Sequence, residues 1–199
     1  MTTNRPKIPL TSKDALLVAD VQNDFLAGGS LTVPQGDEVI EPLNAYIERF
    51  RHSGLPIFAI RDWHPRGHCS FIEQGGPWPA HCIAGTQGAA FAASLKLPSD
   101  VQIVSKATQI DAEAYSGFSG TDLHDRLRQR GVETVFIGGL ATDYCVLNTV
   151  RDALALGLRV YVLGDAIKAV DRNPGDGDKA ISEMERLGAR LISLDRITA

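Results

Sequence analysis

The chain has 199 residues, 44% hydrophobic and 22% charged, enough apolar material for a single domain with a substantial core. A formal net charge of -4, with no clustered lysine and arginine, gives no general attraction to phosphate backbones or anionic bilayers, so nucleic acid and membrane are excluded as partners. Three widely spaced cysteines, Cys69, Cys82 and Cys145, argue against a disulfide framework; with a polar start and no stretch of membrane-spanning length, they predict a cytoplasmic protein.

Residues 1–14 read as an N-terminal tail and residues 15–199 as one domain. The first strand is ALLVAD (15–20). A helix follows in which Val39, Ile40, Leu43, Ile47 and Phe50 recur three and four apart, with Gly54 at its stop. PIFAI (56–60) is the second strand. Residues 61–100 then break the rhythm; they are too long and irregular for an ordinary connection, yet carry two Trp, two Phe and three of the five histidines. VQIVSK (101–106), ETVFIGG (133–139), LRVYVLGD (158–165) and RLISL (190–194) are the remaining strands. Helices around Leu123 and Leu127, around Val146, Val150 and Leu154, and around Ile181, Met184 and Leu187 lie between them, with Gly131, Gly157 and Gly188 at their ends. Apolar strands alternating with amphipathic helices predict a doubly wound α/β fold, a six-stranded parallel sheet covered on both faces.

In such a sheet, chemistry gathers at the carboxyl ends of the strands. Asp20 ends the first strand, Asp62 follows the second, Lys106 ends the third and Cys145 follows the fourth, so all four are expected on one rim. With Thr142 as N-cap, Cys145 becomes the third residue of a helix, where free N–H groups and the helix dipole stabilise a thiolate. Asp20 is placed to take the thiol proton and return it to a leaving amine. If the strand order is 3-2-1-4-5-6, Lys106 starts about 10 Å from Asp20, two strand spacings away, and must reach across. Each residue also has an ordinary structural role open to it: Cys145 as a core residue, Asp20 as a turn residue, Lys106 as a solvated strand end. Asp62, His64 and His81 suit a divalent ion such as Zn²⁺, Fe²⁺ or Mn²⁺, although an Asp-x-His pair is common without one. Phe25 and Trp78 are candidates to sandwich a flat ring, and Tyr144 stands beside the nucleophile.

The segments DVQNDFLAGGSL (20–31), RDWHPRGHCSF (61–71), WPAHC (78–82), VSKATQIDAEAYSGF (104–118) and GGLATDYC (138–145) resemble the isochorismatase-like cysteine hydrolases, and within them the nicotinamidase branch. The resemblance implies a catalytic triad of Asp20, Lys106 and Cys145, and a cis Leu140-Ala141 peptide that aims the Ala141 and Cys145 amides into an oxyanion hole. It also implies a metal loop ligated by Asp62, His64 and His81. His68 is a fourth candidate ligand, present in some members and not others, and its spacing here does not align cleanly. The implied activity is hydrolysis of nicotinamide to nicotinate and ammonia through a cysteine thioester, with pyrazinamide as a further substrate and a place in NAD salvage. Another small-amide or ureido hydrolase of the same superfamily is the alternative, and a noncatalytic metal-binding or redox-sensing protein a more distant one. The small-molecule amide is the expected partner, and the reading admits a homo-oligomer without fixing its size. Because thiol and metal loop lie on different connections, each is expected to be removable without dismantling the other.

Overall fold

A computed structural model describes residues 7–198. Its main sheet has six parallel strands in the order β4-β3-β2-β5-β6-β7, formed by β2 (Asp14–Ala19), β3 (Ile57–Asp62), β4 (Gln102–Lys106), β5 (Thr134–Leu140), β6 (Arg159–Lys168) and β7 (Arg190–Ile192). Counted within the sheet, this is the 3-2-1-4-5-6 order considered above. Part of the expected tail, residues 1–6, lies outside the described residues. Beyond it, β1 (Ile8–Pro9) pairs in parallel with β8 (Ile197–Thr198), bringing the two ends of the domain together.

The residues of β2 show why the sheet needs cover on both faces. All six are buried, and they alternate: Leu16 and Val18 join one apolar cluster, while Ala15, Leu17 and Ala19 join the other. The first cluster is closed by Leu43, Tyr46, Ile47 and Phe50 of α1 (Ile40–His52). The second is closed by Leu123 and Leu127 of α2 (Leu123–Gln129), Val150 and Ala153 of α3 (Leu147–Ala155), and Ala180 and Met184 of α4 (Asp176–Leu187). The chain runs outward from β2 through β3 to β4, then returns to the other side of β2 as β5. The carboxyl ends of β2 and β5 therefore flank the switch point.

Two local features bring those ends close. Gly139 on β5 has φ 119°, and a Cβ there would lie 2.0 Å from the carbonyl oxygen of Ala19 on β2. Only glycine fits that approach. Asp20 itself has φ 51°, so the chain reverses at the end of β2 in the left-handed region, at some cost for a non-glycine residue.

Candidate active site

The rim of the sheet collects the four residues expected there. Lys106 on β4 is in register with Asp62 on β3 and forms an ion pair with it. Its ammonium continues to Asp20 Oδ2 at 3.2 Å and to Cys145 Sγ at 3.4 Å. The long side chain does reach across two strands. Asp20 is 0%, Lys106 1% and Cys145 5% exposed, so this lysine is not a solvated strand end. It lies between two carboxylates. Neither oxygen of Asp20 accepts a hydrogen bond of regular geometry, which leaves that carboxylate able to receive a proton.

Burial and neighbours set the charges. Burial pushes Asp20 up to about 6 from the ordinary 3.8, with Asp62 adding to the rise and Lys106 opposing it. Asp62 meets the same burial, but Lys106 and His64 more than offset it and hold its carboxyl below the usual range. Burial disfavours the Lys106 ammonium, yet Asp20, Asp62 and Cys145 together keep it firmly charged. Burial also drives the Cys145 thiol well above its ordinary value, against the pull of Lys106 and with Asp20 and Asp62 reinforcing the rise. That direction runs against the helix-end activation expected from the sequence, with burial the larger cause and the two carboxylates adding to it.

The local backbone differs from expectation too. Thr142 is not an N-cap; it opens a π-helical turn, Thr142–Val146, capped by Ala141. The Ala141 carbonyl accepts the amides of Tyr144 at 3.1 Å and Val146 at 3.0 Å, the latter five residues on, and α3 follows. Cys145 is thus the fourth residue of a widened turn. The Leu140-Ala141 peptide that precedes it is cis.

Beside the triad, ligand atoms of Asp62, His64 and His81 lie within 4.8 Å of one another, and all three residues are buried. Nδ1 of His64 bonds the His81 carbonyl at 3.0 Å, and Nδ1 of His81 bonds the Pro79 carbonyl at 2.8 Å. Those bonds fix Nδ1 as the donor and leave each Nε2 lone pair available, the arrangement of metal-ligating histidines. Burial lowers His64 to about 4, keeping it neutral, as a ligand must be. The donor set fits a divalent cation. His68 has protein atoms beside both ring nitrogens, Ser70 Oγ 2.8 Å from Nδ1 and the Ala112 carbonyl 3.1 Å from Nε2; it falls outside the Asp62, His64 and His81 group but forms a second group with His64 and Glu113 whose ligand atoms also lie within 4.8 Å of one another. The ring packs 4.4 Å from that of His64, which makes it a wall of the cluster.

The long loop is held without regular secondary structure. Gln22, fully buried, donates from Nε2 to the carbonyls of Asp62 at 2.8 Å and Ala89 at 2.9 Å, and its Oε1 accepts the Asp62 amide at 2.8 Å. Asp24 accepts the amide of Cys82, beside His81, at 2.7 Å. Of the aromatic candidates, Phe25 packs 5.5 Å from the His81 ring, while Trp78 meets Tyr144 edge-on at 4.9 Å. The pair therefore lines two different parts of the site. Three aromatic or polar neighbours were not singled out from the sequence. Phe71 packs against His64, His68 and His81; Tyr115 accepts a hydrogen bond from Trp78 Nε1 at 2.9 Å; and Gln22 holds Asp62. Lys106 touches both the thiol and Asp62 of the metal cluster. A surface groove of about 750 Å³, lined by α1 with Asp37, Ser94 and Lys96, includes none of these residues.

An isochorismatase domain model matches residues 14–196. The nicotinamidase of Escherichia coli is 36% identical over 201 residues, covering 90% of this chain and 94% of that one. The pyrazinamidase of Pyrococcus horikoshii, solved in complex with zinc, superposes with a TM-score of 0.88 at 49% identity, over 92% of this chain and 99% of the other. PnC1 of L. infantum, solved in complex with nicotinate, gives a TM-score of 0.88 at 34% identity, over 97% and 99%.

Proposed function

The chain belongs to the isochorismatase family, and from that membership we propose that it is a metal-dependent amidohydrolase that converts nicotinamide to nicotinate and ammonia. The observation that carries this reading is the single buried lysine, Lys106, joining a cysteine-aspartate pair to a cluster of Asp62, His64 and His81. A thiol for acyl transfer and a seat for a pyridine ring thus share one closed site.

Asp20, ionised at neutral pH, takes the proton from Cys145 as the sulfur attacks the amide carbon. Lys106, 3.4 Å from the sulfur, stabilises the negative charge as it appears. The amides of Ala141 and Cys145 hold the tetrahedral oxygen, and protonated Asp20 gives its proton to the departing ammonia. In the resulting thioester the acyl carbon is bonded to sulfur; Asp20 then accepts a proton from water as its oxygen adds, and Cys145 leaves and is reprotonated. A divalent ion held by Asp62, His64 and His81 supplies an electrophilic seat for the ring nitrogen, which orients the amide toward the thiol. Zinc is the ion we assign. Phe25 and Trp78 flank the ring and Tyr144 borders the nucleophile. His68 supports the His64 ring and is left out of the ligand set. No helix among the described residues is long and apolar enough to cross a membrane. Cys69, Cys82 and Cys145 are free thiols, which suits the reducing, cytoplasmic setting we propose.

The test is ammonia release by the zinc-loaded protein from nicotinamide, pyrazinamide, benzamide and an N-carbamoyl amino acid, alongside Cys145→Ala. The reading expects the two pyridine-type amides to be preferred and Cys145→Ala to lose turnover while keeping zinc. Preference for the carbamoyl compound, or zinc lost with the thiol, overturns it.

A further inference from the structure

The connection from β6 to α4, residues 169–175, is tied to the nucleophile's own turn. Asp143, two residues before Cys145, accepts the amides of Val170 and Asp171, both at 2.9 Å. Asp171, at φ 51°, in turn accepts the amide of Gly177 at 2.7 Å, and Asp176 accepts that of Asn173 at 3.0 Å. All three aspartates around this connection are committed to backbone amides, and none forms an ion pair with Arg172. The connection presents that exposed arginine with its guanidinium 5.5 Å from the centroid of the Trp78 ring. Trp78 is fixed on two further sides, by its hydrogen bond to Tyr115 and its edge contact with Tyr144. Burial and Asp143 raise the Tyr144 phenol, and Arg172 opposes that rise by its charge and by a side-chain hydrogen bond to the same phenol.

We infer that Arg172 is a positioning residue that sets the affinity of the site for a flat ring by holding Trp78 in place. The inference rests on the amidohydrolase reading above, with Trp78 as one wall of the ring site. The geometry divides the labour: Cys145, Asp20 and Lys106 act on the amide, whereas Arg172 acts on the wall from the solvent side and touches no reacting atom. Arginine suits this task because a guanidinium stacks on an indole face at little cost in hydration. Its loss is felt in ring binding and not in the chemical step.

The experiment is a double-mutant cycle with Trp78→Leu, read as kcat and KM for nicotinamide by the zinc-loaded enzyme. Arg172→Gln is expected to raise KM about two- to five-fold, the range for an exposed cation over an aromatic face, with kcat changed less than twofold. Arg172→Lys, which keeps the cation, restores most of the affinity. In the Trp78→Leu background Arg172→Gln has no further effect. An equal effect in both backgrounds, or no effect in either, overturns the inference. Trp emission gives a readout that needs no turnover: Arg172→Gln changes the emission of the wild type but not that of Trp78→Leu, and unchanged emission in both refutes the contact. A wild-type protein that leaves nicotinamide intact removes the parent reading, and the emission comparison still decides whether Arg172 holds Trp78.

Discussion

Replacing Lys106 by methionine keeps the length of the side chain and deletes the cation between Asp20 and Asp62. Two buried carboxylates are then left facing one another. Removing one partner of a buried ion pair costs about 3 to 5 kcal/mol. Part of that loss appears as a proton kept: if the folded variant holds Asp20 protonated at pH 7, it stands at least one unit above the wild-type value of about 6, or roughly 1.4 kcal/mol at 1.36 kcal/mol per unit. For a chain of this length the full loss of about 3 to 5 kcal/mol corresponds to a fall in Tm of about 6 to 20 °C. The sign with pH follows from proton counting. Here the folded state holds more protons than the unfolded one, so stability falls as pH rises above the unfolded value; the wild type shares this fall up to its own Asp20 value of about 6, so across pH 4 to 8 the gap between the two is smaller below pH 6 and widens above it. Thermal melts of the metal-free proteins across that range measure it. Zinc, by placing positive charge on Asp62, should recover part of the loss. Turnover should drop by about two to three orders of magnitude, because Lys106 is the donor nearest the sulfur. A Tm within 2 °C of wild type at pH 7.5, or a gap independent of pH, refutes the view that Lys106 is the charge that reconciles these carboxylates.

Three further outcomes follow from the same geometry. The acid limb of kcat/KM for nicotinamide should fall below about pH 6, where Asp20 becomes protonated and ceases to act as base; a limb centred near 4 removes it from that role. Because Asp20 helps to raise the Cys145 thiol, iodoacetamide should label Cys145 faster in Asp20→Asn although turnover is lost, with half-exposed Cys69 unaffected and buried Cys82 inert in both; an unchanged Cys145 rate by peptide mass spectrometry contradicts the electrostatic role of Asp20. Gly139→Ala, which sets a methyl 2.0 Å from the Ala19 carbonyl oxygen at φ 119°, should cost about 3 kcal/mol or more and lower Tm by at least 6 °C, and a wild-type melting curve would show that β2 and β5 separate freely.

The sheet was legible because its strands are short apolar runs, the central β2 and β5 buried on both faces, and because the chain is punctuated by the glycines that stop α1 to α4, with positive φ at Gly54, Gly131, Gly157 and Gly188. The rim followed from the parallel sheet, whose strands all end on one side, so Asp20, Asp62, Lys106 and Cys145 could be placed on it before any contact or the strand order was known. β1 and β8, with two residues each, are too short to carry a period. Gln22 and Tyr115 went unnoticed for a different reason: their partners lie 37 to 67 residues away, across a loop without periodicity, and a glutamine or tyrosine in isolation announces nothing. Arg172 reads as an ordinary surface arginine until Trp78 is found beneath it. The upward push on the thiol was not legible because a helix position is visible in sequence, whereas the burial of Cys145 beside Asp20 and Asp62 is not.

The widened turn at Thr142–Val146 makes the bearing of the sulfur a matter of counting. In an α-helix each residue advances the azimuth by about 100°. A single deletion within these five residues would let α3 run back to Ala141 with regular hydrogen bonds, an unobjectionable helix by every local measure, while swinging the cysteine about 100° off the Lys106 ammonium. The surplus residue works as a phase shifter between strand and helix: length variation here, unlike in an exposed loop, trades a well-formed helix for a nucleophile pointed the wrong way.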